Sequence, residues 1–256
     1  MPYLLHPQAI TPHDDTVIWR YMDLPKFLIM LEQKALYFAL LGELDDKWEA
    51  VIDRRMARSI ASTFAPSASG DVISLYQEFN KHMAVNCWYC GCEESIAMWT
   101  LYTETVYGVA IKSTVHRLKR ALAGAKEDVF LGIVEYRDYN EVSPGLYDRH
   151  EVTPLKVILQ KRVCYKHECE LRAFTHIQPP FPDDAQPGQS FIYPPPEHGT
   201  LIDVDPNELI ESIMLGPKFP EWALRLLKSA ISRAGISPQI CESDAFKAPP
   251  STFITD

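Results

Sequence analysis

Hydrophobic positions along this chain switch repeatedly between the periods of strands and helices. Thr16-Val-Ile-Trp-Arg-Tyr-Met22 is an apolar run broken by Arg20, as expected of a strand buried on both faces. Asp23 then stands where a helix cap belongs, with Pro25 in the first turn, and Phe27, Leu28, Leu31 and Ala35 recur at helical spacing. Ala35-Leu-Tyr-Phe-Ala-Leu40 reads as a second strand. The chain thus opens with a compact strand–helix–strand unit.

The middle of the chain continues the mixture. Residues 44–63 read as a charged helix, Ala65 to Gly70 as a break, and Asp71 to about Asn80 as another helix. Met83 to Tyr89 is a strand, and Glu93 to Glu104 a largely buried helix carrying Ile96, Met98, Trp99 and Leu101. Tyr107 to Lys112 is a strand. Ser113-Thr114 opens a helix whose stripe includes Val115, Leu118 and Leu122, and Val129 to Tyr136 is a further strand. A helical pattern from Pro154 to about Cys164 leads into a strand that carries Glu168 and Glu170. Leu201 to Asp205 and Ser212 to Leu215 are short strands with a helical turn at Pro206 between them, and Glu221 to Ala234 is the last helix.

Strands and helices mix without regular alternation. The expected class is therefore α+β: one domain over 16–245, with a mixed, mostly antiparallel twisted sheet flanked by helices. Val17, Ile18, Trp19, Tyr21 and Met22 predict an interior strand near 107–112 and 165–174. Residues 1–15 form an N-terminal arm and 246–256 a polar tail. The Pro-rich loop 178–198 leaves directly from the glutamate strand and is expected to be a mobile flap beside it.

Charge and cysteine content narrow the partners. The net charge of −9 argues against nonspecific nucleic-acid binding through phosphates. Apolar runs such as Ala35 to Leu41 are far too short to cross a membrane, and the first residues lack a secretory pattern. Six cysteines in 256 residues do not make a disulfide framework, so reduced thiols and a cytoplasmic location are expected.

Three groups of residues carry candidate chemistry. Glu168-x-Glu170 with Arg172 places two carboxylates and a guanidinium on one face of an extended segment, as an acid/base pair or a solvated Glu–Arg network. Such charges face water or line a cleft, because burying them without partners costs too much. Cys87-x-x-Cys90-x-Cys92 invites a metal reading, yet it lacks the second pair that structural zinc requires, and no metal is expected. Arg20 lies between Trp19 and Tyr21, where a cation needs a partner or a ligand. Ser113-Thr114 is most simply a helix cap. Phosphate-loop, Gly-x-Ser-x-Gly and His-Glu-x-x-His patterns do not occur.

The fragments together resemble a bacterial group catalogued as domain-of-unknown-function family 2971. Trp19-Arg-Tyr-Met22, Phe27 to Leu31 and Ala35-Leu-Tyr-Phe38 match its opening. Asn86-Cys-Trp88, Glu94-Ser95, Ala97-Met-Trp99, Tyr102, Gly108-Val-Ala-Ile111 and Ser113-Thr114 match its middle. Lys161, His167-Glu168 and Glu170-Leu-Arg172 resemble its Lys…Glu-x-Glu-x-Arg block, and Gly199 to Ile213 with Pro217 its close. Asp45-Asp-Lys-Trp-Glu49 departs from the family's Asp-Pro-x-Glu turn, and Tyr89 stands where a His commonly follows Cys-Trp.

More distantly, Arg20, then Ser113-Thr114, then Glu168-x-Glu170 follow the order of motifs in ADP-ribosyltransferases. That resemblance implies an enzyme consuming NAD, with Glu170 as catalytic carboxylate and Glu168 on the acceptor side. Arg20 would hold the dinucleotide phosphates, Ser113 and Thr114 would help to bind it, and Tyr102 or Tyr107 would stack on nicotinamide. It implies a bacterial defence or toxin role, with an acceptor macromolecule left open. Two alternatives stand beside it: a non-enzymatic binding or regulatory module built on a Glu/Arg network around Arg172 and Lys161, and a metal-binding protein using Cys87, Cys90 and Cys92.

Overall fold

In the computed structural model, residues 3–4, 9–49, 74, 77–103, 106–138, 157–177 and 194–247 are described. The opening unit is as the apolar pattern predicts. Strand β2 (Val17–Asp23) follows a two-residue strand β1 (Tyr3–Leu4), and helix α1 (Leu24–Gln33) joins β2 to β3 (Ala35–Leu40). Asp23 takes the cap position without a side-chain cap bond, and Pro25 occupies the first turn. Helix α1 ends on Lys34 in a left-handed conformation, whose N–H donates to the Met30 carbonyl. Its buried face is Leu24, Phe27, Met30 and Leu31.

Strand β4 (Met83–Cys90) is the longest, and helix α2 (Ile96–Tyr102) follows it, opened by the Ser95 hydroxyl accepting from the Met98 N–H. Strand β5 (Gly108–Thr114) runs into α3 (Val115–Ala121), which Thr114 caps by accepting from the Arg117 N–H. The expected strand from Val129 divides into β6 (Val129–Ile133) and β7 (Glu135–Arg137). Then come β8 (Gln160–Arg162), a 3-10 turn over Val163–Glu168, and β9 (Glu170–His176). The chain closes with β10 (Thr200–Asp203), the short helix α4 (Pro206–Leu209), β11 (Ser212–Leu215), α5 (Glu221–Ala234) and β12 (Gln239–Glu242). Gly235, with φ 72°, terminates α5 in the left-handed region that glycine enters freely.

These elements make an α+β protein around a 10-stranded mixed sheet ordered β1-β6-β9-β4-β2-β5-β11-β12, with β3 on β4 and β10 on β3. Its pairs are antiparallel except β1 with β6 and β11 with β12. Strand β2 lies in the interior, as its apolar run requires. It pairs with β5 from Val17↔Thr114 to Asp23↔Gly108 and is one strand removed from β9. The main core packs α1, α3 and α5 on one face through Ile18, Phe27, Trp88, Leu118 and Leu227. A smaller cluster on the other face joins Met83, Val85 and Phe174 to Ile158 and Leu159.

Two expectations change around residue 160. The helical pattern expected from Pro154 to Cys164 is seen, within the described residues, only at Val157 and Ile158, and then gives way to β8 and the 3-10 turn. Gln160 and Lys161 are held by parallel pairing with Glu135 and Tyr136, so tertiary pairing overrides a local helical preference. The glutamate segment is extended only from Glu170 onward. Cys169, with φ 39°, turns the chain between the two glutamates. Residues 50–63 of the expected charged helix, the 65–70 break, the loop segment 178–193 and the tail from 248 lie outside the described residues. In the expected arm, Ile10 accepts from the Ile133 N–H and Thr11 donates to the Leu131 carbonyl, so both dock on β6.

Gly199, just before β10, donates its N–H to the Tyr37 hydroxyl at 3.1 Å. A Cβ there would collide with the Phe38 carbonyl oxygen and the Tyr37 ring. Because the first obstacle is backbone in β3, Gly199→Ala should destabilise the fold by about 1–3 kcal/mol. Urea unfolding followed by circular dichroism measures it, and an unchanged midpoint would show that the β3–β10 pair yields instead.

Candidate functional site

The sheet is split along one seam. Strand β4 is covered on one side by β9 along Met83–Tyr89, but β2 pairs with it only at Tyr89 and Cys90, and β3 only at Ala84 and Val85. Between those contacts, among the described residues, the edge of β4 at Asn86 to Trp88 has no strand beside it. Side chains reach across instead: Arg20 Nη1 donates to the Cys87 carbonyl at 2.7 Å, and Asn86 Nδ2 to the Tyr37 carbonyl at 2.8 Å. The opening is a cavity of about 1140 Å³, walled by Trp19, Arg20, Tyr37, Trp88, Tyr89, Tyr102 and Tyr165 and floored by Glu49, Lys161, Glu168, Glu170 and Arg172. That is large enough for a nucleotide-sized or dinucleotide-sized ligand.

The floor is a buried ion network. Glu170 Oε1 is 2.7 Å from Arg172 Nε, and Arg172 Nη1 donates to the Ile158 carbonyl at 2.6 Å. Arg172 Nη2 pairs with Glu49. Lys161 Nζ lies 2.5 Å from Glu168, 3.2 Å from Glu49 and 3.4 Å from Glu170. The Tyr102 hydroxyl donates to Glu168 Oε1 at 2.6 Å, and the Tyr136 hydroxyl accepts from the Glu170 N–H at 2.8 Å. All five charged side chains are buried, and that of Arg172 fully so. The arrangement obeys the rule that buried charges are paired and hydrogen-bonded.

Local backbone explains how both glutamates reach Lys161. On a straight strand, residues 168 and 170 would share a face by alternation. Here the 3-10 turn carries Glu168 over the sheet, and the left-handed Cys169 returns the chain into β9, where the Cys169 carbonyl accepts from the Cys90 N–H at 2.8 Å. Register Cys87↔Arg172 and Tyr89↔Glu170 then puts Arg172 and Glu170 on one face of the sheet.

Electrostatics set the protonation of this floor. Burial alone would raise the Glu170 pKa, but Arg172 and Lys161 outweigh it and hold it down to about 2. Burial would lower that of Lys161, but Glu170 and Glu49 push it above the ordinary lysine value. Burial, then the Glu168 carboxylate, raise the Tyr102 phenol well above its usual range. Burial lowers the pKa of Arg20, and among the described residues no carboxylate pairs with it. Its guanidinium therefore keeps donors free for an anionic group in the cavity.

Of the residues singled out in the sequence, Arg20, Tyr102, Glu168 and Glu170 line this one cavity. Ser113, Thr114 and Tyr107 are not among its walls. Ser113 is sealed in the core and donates to the Leu209 carbonyl at 2.6 Å, Thr114 caps α3, and the Tyr107 ring meets Trp222 edge-on at 5.6 Å. The cysteine set is not assembled. Cys87 packs against the smaller cluster and Cys90 against the main core, because an offset of three along a strand reverses the face. Burial pushes the Cys87 thiol up, and burial with Cys169 takes Cys90 up to about 12. Among the described residues no group of three His, Cys, Asp or Glu side chains is placed to hold a metal ion.

Sequence reasoning missed Glu49 and the clamp that delivers it. Asp46 binds Arg162 through two bonds, at 2.8 and 3.1 Å, and Arg162 lies over the rings of Trp48 and Tyr165. The signal available was the acidic Asp45-Asp-Lys-Trp-Glu49 run with a tryptophan inside it.

No protein-family model matches the chain, and no curated protein matches it. Among solved structures it is similar to the DarT of Thermus sp. 2.9 in complex with ADP-ribosylated ssDNA, at 11% identity over 92% of this chain and 97% of that one. The TM-score is 0.37, at which the likeness does not by itself define the fold. Among the described residues no helix is long and apolar enough to cross a membrane.

The network makes a pH prediction. The folded pKa of Glu170, about 2, lies below the unfolded value near 4.3. Its contribution is therefore complete above the unfolded value and is lost as pH falls through about 2. The shift corresponds to roughly 3 kcal/mol. Urea unfolding between pH 5 and pH 2 should show this fall in the wild type and a flatter profile in Glu170→Gln. An equally steep fall in the variant would assign the acid sensitivity to other carboxylates.

Proposed function

We propose that this chain is an ADP-ribosyltransferase-like enzyme that consumes NAD in the split-sheet cavity. The observation that carries the reading is that Arg20, free of any carboxylate among the described residues, and the Glu168–Glu170 pair line the same cavity. A cation at one wall suits the phosphates of a dinucleotide, and carboxylates at the floor suit a ribose on which positive charge develops. In this reading the bond between nicotinamide and ribose C1′ breaks, and nicotinamide leaves with the bonding electrons. Glu170 faces the oxocarbenium-like centre. Glu168 takes the proton of the attacking group, water or an acceptor, as its bond to C1′ forms. Tyr102, on the wall above Glu168, offers a ring for the nicotinamide.

The chain-wide charge of −9 bears on nonspecific phosphate binding and not on an acceptor presented to one cavity. Protein, small-molecule and nucleic-acid acceptors are therefore all to be tried. The second reading, a non-enzymatic module with a structural ion network, is favoured by one observation: both Glu170 oxygens are already engaged by Arg172 and Lys161.

One set of measurements separates them. Glu170→Gln should lower NAD turnover by roughly a hundred- to a thousandfold, the loss typical of a removed electrostatic stabiliser. Arg20→Met should chiefly raise KM, since it removes a binding contact. Glu168→Gln should spare NAD hydrolysis more than transfer. Wild-type protein that neither binds nor consumes NAD, with variants that only melt earlier, would establish the structural network instead.

A further inference from the structure

Resting on the cavity as the ligand site of the reading above, the ion network can be examined by charge alone. Glu168 and Glu170 are offset one for one by Lys161, at 2.5 Å, and Arg172, at 2.7 Å. Such a quartet is neutral and holds no surplus attraction for a cation. Glu49 alters the count, because among the described residues three carboxylates against two cations leave one net negative charge on the floor. The Glu49 side chain is 3% exposed, touches both cations, and comes from outside the strand that carries the other pair. The Asp46–Arg162 clamp that fixes its segment is itself neutral.

We propose that Glu49 is a positioning residue that gives the cavity floor its negative charge, so that the site selects a ligand ring carrying positive charge over the neutral ring of the same shape. The ligand class is a pyridinium-type cation, held between the net-negative floor and the aromatic wall at Tyr102. Glu49 acts through Lys161 and Arg172. Like Glu170 it engages both cations, and as the third carboxylate it leaves the set less than fully neutralised.

The test compares binding of 1-methylnicotinamide, a permanent cation, with nicotinamide, its neutral counterpart, by calorimetry at neutral pH. The wild type should prefer the cation by on the order of tenfold or more. Glu49→Gln should bring the two affinities to parity, while Glu49→Asp, which retains the charge, should keep the preference. Melting temperature establishes that each variant is folded. Should Glu49→Gln not fold, Asp46→Asn decides: it leaves the chemistry of all five network side chains unchanged, frees the segment bearing Glu49, and must lower the preference. Equal affinities in the wild type, or a preference untouched by Glu49→Gln or by Asp46→Asn, overturns the inference. Failure of the wild type to turn over NAD defeats the enzymatic reading alone, because cation selectivity is measured without turnover.

Discussion

The structure depends on a buried charge network that cannot be left incomplete. Arg172 is fully buried in the interior strand β9, and its guanidinium needs a carboxylate for each face it shows. Removing one partner from such a network typically costs about 3–5 kcal/mol, because a charge is left buried and alone. Satisfying Arg172 and Lys161 therefore recruits four separate pieces of chain: the segment bearing Glu49, strand β8, the 3-10 turn and β9 itself. Hydrophobic burial assembles the sheet, but these contacts fix how the pieces beyond it are placed.

The cavity follows from a second constraint. Strand β4 cannot be covered continuously on its second edge, because β2 meets one end of it and β3 the other. Unpaired backbone there must find partners. Arg20, which also walls the cavity, satisfies the Cys87 carbonyl of β4, and Asn86 reaches across to the Tyr37 carbonyl of β3. Asn86 in turn accepts from the Trp88 indole at 2.7 Å, so the polar edge is tied to the main core. A site formed in this way rests on rigid strands, a setting that holds polar groups in fixed positions.

Much of the sheet was legible in the chain. The apolar run around Arg20 gave the interior strand, and the boundaries of α5 agree with its periodicity from Glu221 to Ala234. Local pattern was less informative where long-range pairing decides. Residues 160–162 join a two-stranded parallel ladder with 135–137, and no helical periodicity reports such a partner. The convergence of Arg20 with Glu168 and Glu170 was legible as residue type and order. The route was not, since it runs through a left-handed Cys169 that alternation along a strand does not anticipate. Glu49 was hidden because its role depends on a clamp between Asp46 and Arg162, two residues 116 positions apart in sequence. Ser113 shows the opposite case: the resemblance to ADP-ribosyltransferases implied a ligand contact, while the fold uses its hydroxyl to satisfy a buried carbonyl.

The way the sheet ends has a consequence for behaviour in a crowded solution. Its terminal strands among the described residues are short: two residues in β1, four in β10 and four in β12. A long bare edge would offer a row of unpaired amides to any passing strand and seed edge-to-edge aggregation. With its long strands in the interior and only stubs at its margins, this sheet presents little template for addition by a second chain.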